Sequence, residues 1–201
     1  MTAELAVTLE KNNRISPRER ILAAAGELFY RHGIRAVGVD AIAEAAGTNK
    51  MTLYRHFASK DELVAEYLRQ WARAVDACWD RYASRHPGDP LAQLNAWVEE
   101  MATHLAEPNE RGCALANAAI ELAEKDHPGR RVVEEFKRAH RMRLVQLSQD
   151  AGLSEPEMLA DELHLLLEGA RITAQSVGTE GLAARLLRMG KAMIAAHKPS
   201  R

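Results

Sequence analysis

From Ser16 to Ala196 the apolar residues recur at spacings of three and four, and strong breakers cut the pattern at short intervals. No stretch alternates apolar and polar residues as a half-buried strand would. The chain is therefore confined to helices packed on helices, an all-α fold. The first helix is marked at both ends: Ser16-Pro17-Arg18-Glu19 supplies a capping serine, a proline at the first helical position and a glutamate at the third, and Gly33 closes it. Ile21, Leu22, Ala25, Leu28 and Phe29 mark its inner face. Short helices are predicted over about 39–46 and 50–57, and a long one from the cap Ser59 to about 84. Further helices fall at about 90–106, 113–125, 129–151, 156–177 and 180–196, divided by runs such as Pro87-Gly88-Asp89-Pro90. The count is nine, three short at the front and six longer behind.

Composition narrows the classes further. With 47% hydrophobic and 27% charged residues, 201 residues suffice to bury a real core, which excludes a disordered or collagen-like chain. Two cysteines, Cys78 and Cys113, give no CxxC or zinc spacing and suit a reducing compartment. No apolar run approaches ~20 residues, and Met1–Arg14 lacks a signal-peptide core, so a cytoplasmic location without membrane contact is expected. Net charge is −1, which does not by itself indicate nucleic acid. It is uneven, however: residues 1–60 carry nine basic against six acidic side chains, and the remainder 18 against 22. A basic front and an acidic back suggest that only the front meets a polyanion.

Within that front, Val39–Phe57 has the layout of a helix-turn-helix. Small Ala43 permits close approach, Gly47 supplies a left-handed turn, and Ile42 and Leu53 lock the pair. Asn49, Lys50, Met51, Thr52, Tyr54, Arg55 and His56 remain to face outward. These donors, cations and one apolar tip match the acceptors and thymine methyls of a DNA major groove. An ordinary helical hairpin with a solvated face shares the spacing.

Ile42-Ala43, Ala46-Gly47 and the run Thr52-Leu53-Tyr54-Arg55-His56-Phe57-Ala58-Ser59-Lys60-Asp61-Glu62-Leu63 resemble the signature of the TetR (tetracycline-repressor-like) family of transcriptional regulators. Their position, one helix in from the N-terminus, is similar too. The resemblance covers 16–63 closely. Beyond that segment it rests on helix number and length and on Gly112-Cys113 at the start of the sixth helix. It implies a mobile arm over 1–13, a three-helix DNA-binding domain over 14–60, and a helical ligand-binding and dimerisation domain over 61–201. It implies that Tyr54, Lys60 and His56 contact phosphates, that Lys50 and Thr52 sit at the groove, and that Asn49 divides between capping and a backbone contact. Arg18 and the arm residue Arg14 would reach neighbouring phosphates or the minor groove. Gly38 departs from the pattern, standing where the family usually has a Thr or Ser that caps the second helix and touches a phosphate.

One short recognition helix reads few base pairs, so a homodimer on a two-fold operator is expected. Leu159, Leu163, Leu166, Ala170, Thr173 and Val177 form one apolar face of the eighth helix, and Leu165, Leu167 and Ile172 another. Leu182, Leu186, Met189 and Met193 make a matching stripe on the ninth, with Gly190 permitting close approach. The resemblance implies that these two helices meet their mates as a four-helix bundle; burial within one copy is the alternative. It also implies a cavity for a small-molecule effector, lined by candidates Trp71, Cys78, Trp97, Met101, His104, Cys113, Asn117, Glu121, His140 and Glu168. A carboxylate in an apolar bundle needs a partner, and His140 is the candidate for Glu121. Internal hydrogen bonds and ion pairs would use the same residues.

No enzyme is expected, and no catalytic residue or cofactor. Glu124-Lys125-Asp126-His127 is a single carboxylate–histidine motif at a helix end, whereas a di-iron bundle needs a pair. A metal- or thiol-sensing regulator using Cys78, Cys113, His104 or His140 remains an alternative, though the spacing fits no ligand pattern and no metal site is expected.

Overall fold

The computed structural model describes residues 16–106 and 111–199; Arg14 and the 1–13 arm lie outside the described residues. Nine helices are found among them: α1 Pro17–His32, α2 Val39–Ala45, α3 Lys50–His56, α4 Lys60–Arg85, α5 Pro90–Ala106, α6 Ala114–Glu121, α7 Pro128–Asp150, α8 Pro156–Val177 and α9 Leu182–Ala196. The all-α expectation holds, and the starts follow local chemistry. Ser16 and Glu19 complete a reciprocal capping box on α1, with Pro17 at its first position. Asn49 Oδ1 accepts from Thr52 N–H at 2.9 Å, Ser59 Oγ from Glu62 N–H at 3.1 Å, and Asp89 Oδ1 from Ala92 N–H at 2.9 Å. Two boundaries differ from expectation. After Glu121 the chain leaves the helix and turns, with His127 N–H on Glu124 O, so the sixth helix ends short of the predicted 125. Gly181, at φ +63°, delays α9 to Leu182.

The chain divides into two compact units. The front unit takes the chain up to Gln70 together with Asn117–Val132; the second takes Trp71–Ala116 and Val133–Arg201. The inclusion of 117–132 in the front unit is a feature that the linear division at residue 60 did not contain. In the front unit Ile21, Ala25 and Phe29 of α1 are buried with Ile42 and Ala43 of α2, Leu53 of α3, and Leu63, Val64 and Tyr67 of α4. Phe29 and Tyr67 pack with ring centroids 5.7 Å apart.

The core of the second unit is built from Trp79, Leu94, Trp97, Leu144, Leu159, Leu163, Leu186 and Ile194, among others. This corrects the dimerisation face. Leu159, Leu163, Ala170, Leu182 and Leu186 are buried inside one copy, because α8 and α9 turn those stripes onto their own unit. Gly190 does permit a close approach, but to α5: a Cβ there would lie 2.7 Å from Val98 Cγ1. Leu166, Thr173 and Met193 are half-buried, and Met189 and Val177 are exposed. The exposed apolar row on α8 is Met158, Leu165 (70% exposed) and Ile172. Beside it runs an apolar groove between α8 and α9, along Leu165, Leu166, Ala192, Met193 and Ala196. Among the described residues no helix is long and apolar enough to cross a membrane.

Candidate nucleic-acid interface and ligand core

Helix α3 owes its orientation to Leu53 and to the buried Phe57 that comes after it, which fix one side inward against Ile42, Ala43 and Ala46. Gly47 makes the turn between α2 and α3 at φ +62°, where an added Cβ would touch nothing; conformation rather than space requires glycine there. Arg20 Nε donates to Ala46 O at 3.3 Å and ties this turn to α1. The outward side carries Lys50, Met51 (80% exposed), Tyr54 (44% exposed) and Arg55, flanked by half-buried Thr52 and His56. Cations, hydroxyls and one thioether thus share a single protruding face.

Some predicted contacts are placed differently. Asn49 is a helix cap by geometry, since its side-chain oxygen is taken by Thr52 N–H. Arg18 lies over the Phe57 ring at 5.0 Å and 3.8 Å from Glu66. Lys50 Nζ stands 3.4 Å from Asp40 of α2, an acidic neighbour that the sequence did not single out. Lys60 is already engaged with the backbone of the α1–α2 loop. Its Nζ donates to Ile34 O at 2.7 Å, and burial lowers its pKa, while Asp61 and Glu121 work to raise it.

Glu121 and Asn117, expected in the ligand core, both belong to the front unit. Ile34 N–H donates to Glu121 Oε2 at 2.6 Å and Arg35 N–H to the same oxygen at 3.3 Å. The carboxylate is therefore occupied by the α1–α2 loop, and its expected pairing with His140 is overturned. Eighty-seven residues separate Glu121 from Ile34, so no local pattern could reveal the bond.

In the second unit, His140 and Trp97 do come together, with ring centroids 5.7 Å apart. His140 lies in an aromatic box closed by Trp79 at 5.4 Å, Phe136 at 5.7 Å and His164 at 6.1 Å. Trp79 stacks on Trp97 at 6.0 Å and is not among the predicted site residues. His140 is 8% exposed, and neither its Nδ1 nor that of His164 has a hydrogen-bond partner. Burial, then the charges of His164, Arg171 and Lys137, push the His140 pKa down to about 3. Burial, followed by Lys137, lowers His164 as well. Glu168 lies 2.7 Å from Lys137 Nζ and 2.8 Å from Arg171. Burial pushes its carboxyl up, but the Lys137 hydrogen bond and the charges of Lys137 and Arg171 outweigh that and hold it below the usual range.

The remaining candidates scatter. Met101 and Trp97 line a gap of about 10 Å³ with Leu163, Leu186 and Gly190, about one water in size. An organic ligand needs ~300 Å³, so this part of the core must open to admit one. Trp71, Cys78 and Cys113 are half-buried, Arg81 donates to Cys78 Sγ at 3.0 Å, and exposed His104 lies 3.5 Å from Glu100. Both cysteines are free thiols, and no group of three or more His, Cys, Asp or Glu among the described residues could hold a metal ion.

Known proteins share this design. Residues 21–67 match the family model for bacterial regulatory proteins of the tetR family. The transcriptional activator FasR of Mycolicibacterium smegmatis is 42% identical over 94 residues, which are 44% of this chain and 42% of FasR. The repressor KstR of the same organism is 34% identical over 128 residues, 61% of this chain and 62% of KstR. The chain thus spans about half the length of these curated relatives. Solved structures extend the likeness. A TetR-family regulator from Streptomyces coelicolor superposes with a TM-score of 0.84 at 27% identity, over 91% of this chain and 96% of its own. A TetR-type regulator from Streptomyces avermitilis gives 0.77 at 30% identity, over 91% and 98%. With the helix-turn-helix in place and the likeness running nearly end to end, this chain belongs to the TetR family of bacterial transcriptional regulators.

Proposed function

We propose that the chain is a DNA-binding repressor that reads a two-fold operator as a homodimer and is released by a small-molecule effector. The observation that carries the reading is α3, which holds Leu53 in the core and presents Lys50, Met51, Tyr54 and Arg55 outward. Such a face suits direct readout with flanking phosphate contacts, and one copy of it spans too few bases for specificity. Dimerisation has a surface available in the exposed row Met158, Leu165 and Ile172 on α8, with Met189 on α9. The effector would open the second unit beside Trp97, Met101 and His140 and displace α4, changing the separation of the two recognition helices. To do so it must bind the DNA-incompetent state more tightly by several kcal/mol. A protein acting on bacterial DNA by binding alone works in the cytoplasm and needs no catalytic group. KstR is named a repressor and FasR an activator, so the sign of regulation is part of the proposal.

The test is affinity for a duplex enriched from a random pool, measured for the wild type and for Arg55→Ala. Removing a base-reading arginine is expected to cost about 1–3 kcal/mol, about 5- to 150-fold in Kd. Unchanged affinity would remove α3 from the interface.

A further inference from the structure

The helix-turn-helix is electrically balanced: over residues 39–57, Asp40 and Glu44 offset Lys50 and Arg55. Three cations around it are engaged with protein groups. Arg18 lies 3.8 Å from Glu66, Arg35 lies 3.6 Å from Glu124, and Lys60 Nζ donates to Ile34 O at 2.7 Å. Gly38 caps α2 without a side-chain hydrogen bond, so that cap offers no hydroxyl to a phosphate. Sequence-independent affinity for DNA comes from cations that neutralise phosphates, and here the protein answers part of that charge itself. A reading surface of this kind must draw more of its affinity from base edges.

One further pair lies on the reading face itself. Asp40, in the first turn of α2, accepts through Oδ2 from Nζ of Lys50, the first residue of α3, at 3.4 Å. Both side chains are exposed, so the pair adds little to stability. Its consequence for DNA is larger. An ammonium has three donors, and a bond to Asp40 leaves two, enough for the O6 and N7 acceptors of one guanine. Those atoms belong to a neutral base and carry only partial charge. A phosphate oxygen brought to the same ammonium belongs to a full anion and meets the carboxylate beside it. The Asp40 carboxylate therefore penalises one kind of partner and spares the other.

We propose that Asp40 is a positioning residue that sets specificity: through Lys50 it favours a guanine edge over a phosphate, and so weakens binding to DNA at large more than binding to the operator. The inference rests on the DNA-reading role proposed for α3. It adds which base Lys50 takes and what keeps its ammonium off the backbone.

The experiment measures Kd of the full chain for the enriched duplex and for a scrambled duplex of the same length and composition, over a range of salt. Asp40 is exposed, so its replacement leaves the core intact. Asp40→Asn is expected to tighten binding to the scrambled duplex about fivefold and to steepen its salt slope by about one, the mark of an added phosphate contact. Binding to the enriched duplex changes by less than about twofold, so discrimination falls. Asp40→Glu, which keeps the carboxylate, retains most of the discrimination. In a Lys50→Ala background Asp40→Asn moves neither Kd by more than about twofold, because the group it acts through is gone. A pool enriched with Lys50→Ala loses a guanine at one position of each half-site. An unchanged ratio in Asp40→Asn, an equal gain on both duplexes, a full gain in the Lys50→Ala background, or a guanine preference that survives Lys50→Ala overturns the inference and leaves α3 at the groove. Failure of the wild type to enrich any duplex overturns the regulator reading itself, and this inference with it.

Discussion

In the front unit Ser16, Asn49, Lys60 and Glu121 each close on a backbone group, and the outward polar surface gathers on α3. In the second unit buried His140 and half-buried His164 each have an unpartnered, buried Nδ1, and Glu168 is held between Lys137 and Arg171. The first arrangement fixes a shape. The second keeps poorly satisfied polar groups in an apolar box, and such groups cost free energy until something reaches them. The reading head and sensing core proposed for the two units would place these opposite demands on their polar side chains.

The largest expected effect breaks the front unit. Leu53→Ala empties a fully buried site between α2 and α3 and is expected to cost about 2–5 kcal/mol, read by urea unfolding followed at front-unit amides. An effect under about 1 kcal/mol would mean that α3 is not packed as described.

Acid is expected to act on the second unit. With His140 pushed down to about 3 against an ordinary value of 6.5, the unfolded chain binds more protons than the folded one between those pH values. Stability is then fully present above about pH 6.5 and is lost as pH falls toward 3. Between about pH 7 and pH 5 the loss from His140 is about 2 kcal/mol, with His164 adding in the same direction. Denaturant midpoints measured across that range should fall, and His140→Leu should flatten the fall. A midpoint independent of pH would contradict the burial of His140.

Smaller still is the cap. Asn49→Ala removes the acceptor for Thr52 N–H and is expected to lower stability by about 1 kcal/mol, read as a downward shift of Tm. If Tm holds while DNA affinity drops, Asn49 serves the interface rather than the helix.

These contrasts also explain what is legible in the sequence. The capping box of Ser16 and Glu19, the Asn49 cap and the Gly47 turn involve partners within a few residues, so local pattern suffices. The buried Leu53 and Phe57 follow from periodicity and family resemblance together. Glu121 and Lys60 stand out in the sequence as polar groups at telling positions, but their partner lies in the α1–α2 loop, 87 and 26 residues away, and only the fold brings them there. Helix α8 shows two apolar sides. Periodicity detects both and does not say which one faces its own unit, so it gives Leu159 and Leu163 to the wrong surface, while Leu165 and Ile172 are the residues left outside. Trp79 escapes for a similar reason: its burial depends on stacking with Trp97 from another helix.

The most direct test of α3 as the element that reads sequence is a nuclease footprint of the purified full chain on the DNA upstream of its own gene, compared with Tyr54→Ala. Two protected half-sites are expected about one helical turn, ~34 Å, apart, related by a two-fold axis and lost in the variant. Salt-sensitive binding with no preferred site, identical in both proteins, would contradict that role for α3.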